Sequence, residues 1–443
     1  MNKCVREHQL LEKMWDKIMD GFVSIKKHLP ESQHHFLDLL YATYHMFTML
    51  YERFPEYSIF WSLKLGDIAW VRSKLEVDEG IWDSCVQSEC WVEISYSWYH
   101  QATTLQPDIG ALHWNLMPLI KYDALSALFL LYKTLTARKA CLAAHTDEGI
   151  NKSIDLLMKL ASSCPPEIKF FINSHISDFL RKDQDLAPIK QMEYLQIHKP
   201  ILMTRAKSDL QTIQIAVCGI SSLTLEASKC KLEAASTAKE KHKVTKMSEV
   251  STEDISGHLK PRLVHNIAFQ LLSFALENPQ NERIHRHIHI WLIFLDFIQT
   301  HPAQMAWVVK AFPWSHLTQY ATWLLRRRRD QNQLLPPQHD IEGFPFALGY
   351  CPLPEEILVR GLNITGTFFP ENYFANCSTV PNTIYRESPY PGVIETTGMG
   401  IIRQEKILWL LMRLAKSRTW IVYNPTCSQF TISPKLGTFL RRD

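Results

Sequence analysis

Glycine is scarce in this chain, with 15 among 443 residues. Dinucleotide-binding folds, (β/α) barrels and β-sandwiches spend glycine on tight turns, so the deficit argues for helices. Paired cysteines are missing too: the ten cysteines are scattered, and the closest two, Cys85 and Cys90, leave no C-x-x-C. Structural zinc normally needs such paired spacing, so no metal is expected. Long apolar runs are absent. The strongest, Ile288 to Ile298, is broken by His289 and Asp296 and falls short of the ~18 residues of a membrane span. The first residues carry no apolar signal core. With scattered thiols, that fits a reduced compartment, nucleus or cytoplasm. Net charge is only +3, too little to demand a nucleic-acid partner. No G-x-S-x-G, phosphate-binding glycine loop or dinucleotide fingerprint occurs, so neither an enzyme nor a cofactor is expected.

What is present is apolar periodicity. Hydrophobic residues make up 46% of the chain and charged ones 21%, a globular balance. The length suits two or three domains. Three- and four-residue steps predict helices over 5–29, 31–53, 57–76 and 91–105, then 111–121, 123–138, 150–162 and 166–181. Further apolar helical pieces follow over 187–226, 259–279, 284–330 and 402–416. TWIVYN, from Thr419, reads as a short strand or an extended tail. The fold class expected is therefore all-α.

A compositional break divides the chain. From Glu226 to Ser256 it is rich in Lys, Ser, Thr, Ala and Glu and nearly free of aromatics, which reads as an exposed linker. The expected domains are 1–225 and 257–443, the latter with an irregular, proline-rich segment over 331–400.

The stretch LKLGDIAWVRSKLE, Leu63 to Glu76, has the register of a tetratricopeptide repeat: Leu65 and Gly66 in a first helix, Ala102 and Pro107 five apart in a second, and Leu116 opening the next. Between Leu65 and Ala102 the repeat would be about 17 residues longer than its ~34-residue period. The surplus, VDEGIWDSCVQSEC (Val77 to Cys90), is expected as an enlarged hairpin loop. An ordinary helical hairpin fits the same pattern.

LGDIAWVR and YHQATTLQPDIGALHWNLMPLIKYDALSALFLLYKTL together resemble the adaptor family of telomerase-associated and nonsense-mediated mRNA decay proteins, with its ever-shorter-telomeres type domain. Leu65, Gly66, Asp67, Ile68, Ala69 and Arg72 match its first helix, and Ala102, Leu105, Pro107, Gly110 and Leu116 its next motif. PLPEEILVRGL is similar to the family's P-L-P-E-E signature at Pro352, Leu353, Pro354, Glu355, Glu356, Arg360 and Gly361. HRHIHIWLIFLDFIQTHPAQM and RQEKILWLLMRLAKSRTWIVYN follow the family's order as well. The resemblance implies a 14-3-3-like N-terminal domain of tetratricopeptide type and a helical hairpin domain behind it. It implies a non-catalytic adaptor that binds protein partners, in some members phosphoproteins, in RNA surveillance or at telomeres.

Of the basic residues at the family's phosphate-binding positions only Arg72 is left, with Lys17 one turn before Asp20. Trp70, Trp114 and Asp20 stand where the family carries arginine, asparagine and a basic residue. A groove with Arg72, Lys17, Trp70 and Trp114 is thus the expected partner site, more apolar than the family's, although Arg72 and Lys17 also read as solvated surface charges. No counterpart of the nuclease domain of some relatives is expected within the residues up to Asp443.

The alternative to an adaptor is direct RNA or DNA binding, for instance in telomere maintenance. Its candidate contacts are the basic run Arg326, Arg327, Arg328 and Arg329. The same run reads as a solvated helix C-terminus, where cations are favourable. His285 and His289 share a helix face, but no H-E-x-x-H accompanies them, and partly exposed helix histidines are expected.

Overall fold

The computed structural model describes residues 9–78, 85–180, 208–241, 262–300, 306–330, 344, 352–375 and 398–440. Among these residues the chain is all-α: sixteen α-helices and one two-stranded sheet. None of the helices is long and apolar enough to cross a membrane. The chain divides into two compact units, Met1–Gln106 and Pro107–Asp443. The stretch expected as a linker is helical as far as Lys241, and Glu226 at its start is buried and pairs with Arg262 at 3.2 Å. The remainder, 242–256, lies outside the described residues.

The first unit holds α1 (Leu10–Lys26), α2 (Gln33–Arg53), α3 (Ser58–Asp78) and α4 (Cys85–Leu105). Its core gathers Phe22, Phe36, Leu40, Phe47, Trp61, Leu65 and Ile68, one face from each of α1, α2 and α3. Of the surplus residues expected as a loop, Val77 to Cys90, those at 77–78 and 85–90 instead lengthen the hairpin, since α3 runs to Asp78 and α4 begins at Cys85; 79–84 lie outside the described residues. Extra helical turns satisfy their own backbone hydrogen bonds, which an irregular loop leaves to other partners. Helices α3 and α4 run antiparallel and meet at Gly66. A Cβ there would stand 2.5 Å from the Tyr99 ring. The Gly66 carbonyl accepts from Ser95 Oγ at 2.9 Å, and Tyr99 donates to Asp67 at 2.6 Å. Close approach, backbone acceptance and a buried phenol thus depend on one missing methyl.

In the second unit the helices are placed by caps and by burial. Asp123 caps α6 (Ala124–Thr136), accepting from Ser126 N at 3.1 Å, and Thr146 caps α7 (Asp147–Ala161). Pro166 opens α8 (Pro166–Phe179) at a position where no N–H is needed. All but the last residue of α6 are buried, and α11 (Ile284–Thr300) is buried almost as fully. Helices apolar on every side belong in the middle of a core. Accordingly, α6 packs on α5 (Gly110–Leu116) and α9 (Ser208–Lys241), and α11 on α9 and α15 (Met399–Lys416).

Completing this unit are α10 (Leu263–Glu277), α12 (Ala306–Ala311), α13 (Trp314–Asp330), α14 (Pro354–Val359) and α16 (Pro434–Leu440). TWIVYN does supply a strand. β1 (Ile421–Asn424) pairs antiparallel with β2 (Gln429–Ile432), a partner the sequence reading passed over. Of the segment expected to be irregular, 352–375 is compact, with α14 and a 3-10 turn at Asn363–Thr365; 331–343, 345–351 and 376–397 lie outside the described residues.

Candidate functional site

In the first unit, aromatic side chains of α2 and α4 alternate along their line of contact. Tyr41 and Tyr44 both pack on Trp91, with ring centroids 6.0 and 5.7 Å apart. Tyr51 packs edge-on against Trp98 at 5.4 Å. Residues 41, 44 and 51 fall on one side of a 3.6-residue helix, as do 91 and 98. Tyr41 is 44% exposed, and Tyr44, Tyr51, Trp91 and Trp98 are half-buried, so the row has an inner and an outer side.

Arg72 of α3 lies beneath this row. It is 5% exposed, donates from Nε to the Tyr41 hydroxyl at 3.1 Å, and sits 5.9 Å from the Tyr41 and Trp91 ring centres. The solvated-surface reading of Arg72 is therefore corrected: its stem fills core space and its cation faces two π-clouds. Lys17 is a solvated charge, paired with Asp20 one turn on at 3.2 Å. Trp70 is half-buried with Lys74 over its ring at 4.6 Å. Two residues apart on a helix means about 200° of rotation, so Trp70 and Arg72 leave α3 on different sides. Trp114 belongs to the second unit, on α5, and is half-buried.

The arginine run does not share a face. Four consecutive helical residues fan through about 300°. Arg328 is fully buried and pairs with Glu405 at 2.8 Å. Arg327 pairs with Glu282 at 3.3 Å and lies over Trp323, and Arg329 donates to Ser428. Arg326 is exposed.

The densest electrostatics lie inside the second unit, on the P-L-P-E-E stretch. Pro354 opens α14, and Glu356 reaches back to accept from Leu353 N at 2.8 Å, the returning half of a capping box. Both glutamates are fully buried. Arg403 grips Glu355 with Nε at 2.6 Å and a terminal nitrogen at 3.0 Å, and His289 Nδ1 donates to the same carboxylate at 3.0 Å. Burial alone would raise the Glu355 pKa, but the Arg403 charge and these hydrogen bonds hold it well below the usual carboxylate range. Lys406 donates to both oxygens of Glu356 at 2.7 and 2.8 Å and also to the Tyr373 hydroxyl, which in turn donates to Glu356 at 2.7 Å.

Behind α14, buried Lys133 donates to the carbonyls of Leu358 and Arg360, each at 3.0 Å. Burial, and the Arg360 charge after it, push this ammonium down to about 7. Gly361 completes the motif with φ +87; a Cβ there would collide with the Pro107 carbonyl. Glu355 and Glu356 thus tie α14 to α11 and α15, and the carbonyls of Leu358 and Arg360 tie its end to α6, while the Arg360 side chain lies over Phe374.

The histidines of RIHRHIH are likewise interior. His285, His287 and His289 are each 1% exposed, where partly exposed side chains were expected. Helix α11 is enclosed on nearly all sides, which leaves them no solvent face. His285 reaches the Pro279 carbonyl at 3.0 Å, and His287 accepts from Trp291 Nε1 at 3.0 Å. Among the described residues no cluster of His, Cys, Asp and Glu could hold a metal ion.

Two groups were missed by the sequence reading. The tyrosine and tryptophan row was visible as Tyr41, Tyr44 and Tyr51 at helical spacing and Trp91 and Trp98 seven apart. The buried charges were visible as adjacent Glu355 and Glu356 against Arg403 and Lys406, three apart on a helix. Neither a family model nor a curated protein matches the chain's sequence.

Proposed function

We propose that this chain is a non-catalytic helical adaptor of the kind it resembles, a 14-3-3-like, tetratricopeptide-type N-terminal unit followed by a helical hairpin unit, working in nonsense-mediated mRNA decay or with telomerase in nucleus or cytoplasm. It binds protein partners through the first unit. The observation that carries this reading is the half-buried aromatic row of α2 and α4. Aromatic residues with one wet side are the side chains most enriched at protein interfaces. A catalytic reading has less support, because the densest charge cluster of the second unit, Glu355, Glu356, Arg403 and Lys406, is buried and committed to itself.

Phosphate recognition through Arg72 is disfavoured by its burial beneath Tyr41 and Trp91, since strong phosphate sites present several charge-assisted donors outward. Direct nucleic-acid binding through Arg326 to Arg329 is disfavoured by the fan of that run and by the burial of Arg328. Two measurements test the proposal. Calorimetry with phosphorylated and unphosphorylated versions of one partner peptide should show no preference for phosphate; a preference lost in a folded Arg72→Gln variant overturns the aromatic reading. Titration with single-stranded RNA and DNA should show no steeply salt-dependent binding; a steep slope favours the nucleic-acid alternative.

A further inference from the structure

We infer that the aromatic row of the first unit is a docking groove for a proline-rich segment in the polyproline II conformation. The inference rests on the adaptor reading above and specifies the chemistry of the partner.

The first argument is one of donors and acceptors. Tyr41 accepts from Arg72 Nε, Tyr44 accepts from Trp98 Nε1 at 2.8 Å, and Tyr51 accepts from Gln101 Nε2 at 2.6 Å. Each hydroxyl thus accepts from a donor of the same unit, buried Arg72 for Tyr41 and half-buried Trp98 and Gln101 for the other two, and none of the three donates to another described residue. Each therefore keeps its own O–H for an acceptor outside the row. The groove offers donors and aromatic faces. A proline-rich strand offers carbonyl acceptors, apolar rings and no N–H at its prolines, so the two sets are complementary.

Spacing is the second argument. The rings stand in the order Tyr41, Trp91, Tyr44, Trp98, Tyr51. Tyr44 with Trp91 and Tyr51 with Trp98 make two edge-to-face pairs, at interplanar angles of 89° and 69°. Seven helical residues separate the members of each helix, a rise of about 10.5 Å. One turn of polyproline II, three residues, rises about 9.3 Å. Two prolines three apart thus fall opposite successive ring pairs, the register in which aromatic grooves read such segments. An amphipathic helix fits less well, because its carbonyls are already bonded within the helix and would leave three tyrosine hydroxyls unmatched. A phosphopeptide meets no outward cation in the row.

The test uses the full chain and a fluorescein-labelled decaproline peptide, followed by anisotropy, with a glycine–serine peptide of equal length as control. Saturable binding of decaproline alone is expected. In a 15N spectrum, the indole N–H signals of Trp91 and Trp98 should move with the titration, while that of Trp61, turned into the core towards the Phe54 carbonyl, should not. Tyr51→Phe keeps the ring and removes the hydroxyl, and with an unchanged melting temperature it should weaken binding about five-fold. No saturation by about 1 mM peptide, or binding that leaves the Trp91 and Trp98 signals in place, overturns the inference. So does equal binding of the glycine–serine peptide, or binding that requires phosphoserine. A photo-crosslinker at the exposed position of Met49 separates this from the adaptor reading: specific cross-links to cellular proteins without decaproline binding overturn the inference and leave the adaptor standing, and the absence of both removes both.

Discussion

Gly66 shows how much a single atom can decide. The sequence placed it in a helix, where glycine costs about 1 kcal/mol relative to alanine, so its presence needs a packing reason. The reason is the Tyr99 ring, 2.5 Å from where a Cβ would stand. Tyr99 cannot easily give way, because its buried hydroxyl is tied to Asp67 at 2.6 Å. Gly66→Ala should therefore destabilise the chain by about 1–3 kcal/mol despite its better helix propensity, by overpacking. Denaturant unfolding followed by circular dichroism checks the sign. A stabilised Gly66→Ala variant would mean that α3 and α4 do not approach so closely. Arg72 carries the opposite lesson. Its type and its place on a helix were readable, but not its burial, because that depends on Tyr41 and Trp91, which come from two other helices.

At the scale of elements, the buried pairing between α14 and α15 sets stability and specificity against each other. Taking ions out of water is expensive, and only excellent geometry with full hydrogen bonding recovers the cost. Glu355 meets that condition through the two-pronged grip of Arg403 and the added donation from His289. Removing one partner leaves a buried, unmatched charge, so Arg403→Met should cost about 3–5 kcal/mol. The double variant Glu355→Leu/Arg403→Met removes both charges and should recover much of that loss. Chemical denaturation of the wild type, both single variants and the double variant closes the cycle; additive losses would show that the two residues are not coupled. These elements were only half legible beforehand. Helix positions followed from periodicity, and α15 was drawn to within three residues. The surplus over the repeat period suggests an enlarged loop at Val77 to Cys90, whereas at 77–78 and 85–90 it is taken up by longer helices, which a count against the period cannot distinguish from a loop. The function of the P-L-P-E-E stretch as a clamp was not legible at all, since its cations lie some fifty residues further on.

At the scale of the whole molecule, buried ionisable groups make stability a function of pH. His175, His285 and His287 are each 1% exposed. Burial pushes them down from 6.5 to about 3, 4 and 4 respectively; the nearby His265 further lowers His175, whereas bonds to backbone carbonyls partly oppose the shift at His285 and His287. Because the folded values lie below the unfolded one, the unfolded chain binds more protons once the pH drops beneath about 6.5. The contribution of these histidines is thus fully present above 6.5 and is lost progressively down to about 4 for His285 and His287 and about 3 for His175. Each titrating histidine adds a slope of at most about 1.4 kcal/mol per pH unit in that window. Glu355 acts in the same direction at lower pH: its depressed value stabilises the fold above the ordinary 4.5 and loses that contribution below it. Lys133, pushed down from 10.5 to about 7, extends the rise to the alkaline side, since between those values the unfolded chain again holds the extra proton. Melting temperature should therefore fall steadily from pH 7 to pH 4.5, and His100 of the first unit, pushed down to about 4 by burial, adds to the same fall. Thermal melts across that range, read by the near-ultraviolet signal, test the direction. His287→Gln, which keeps a polar partner near Trp291 Nε1 and cannot titrate, should flatten the fall by close to one proton's worth. A melting temperature that is level or rising as the pH drops from 6.5 to 4.5 would mean that these histidines take up their protons without leaving the core.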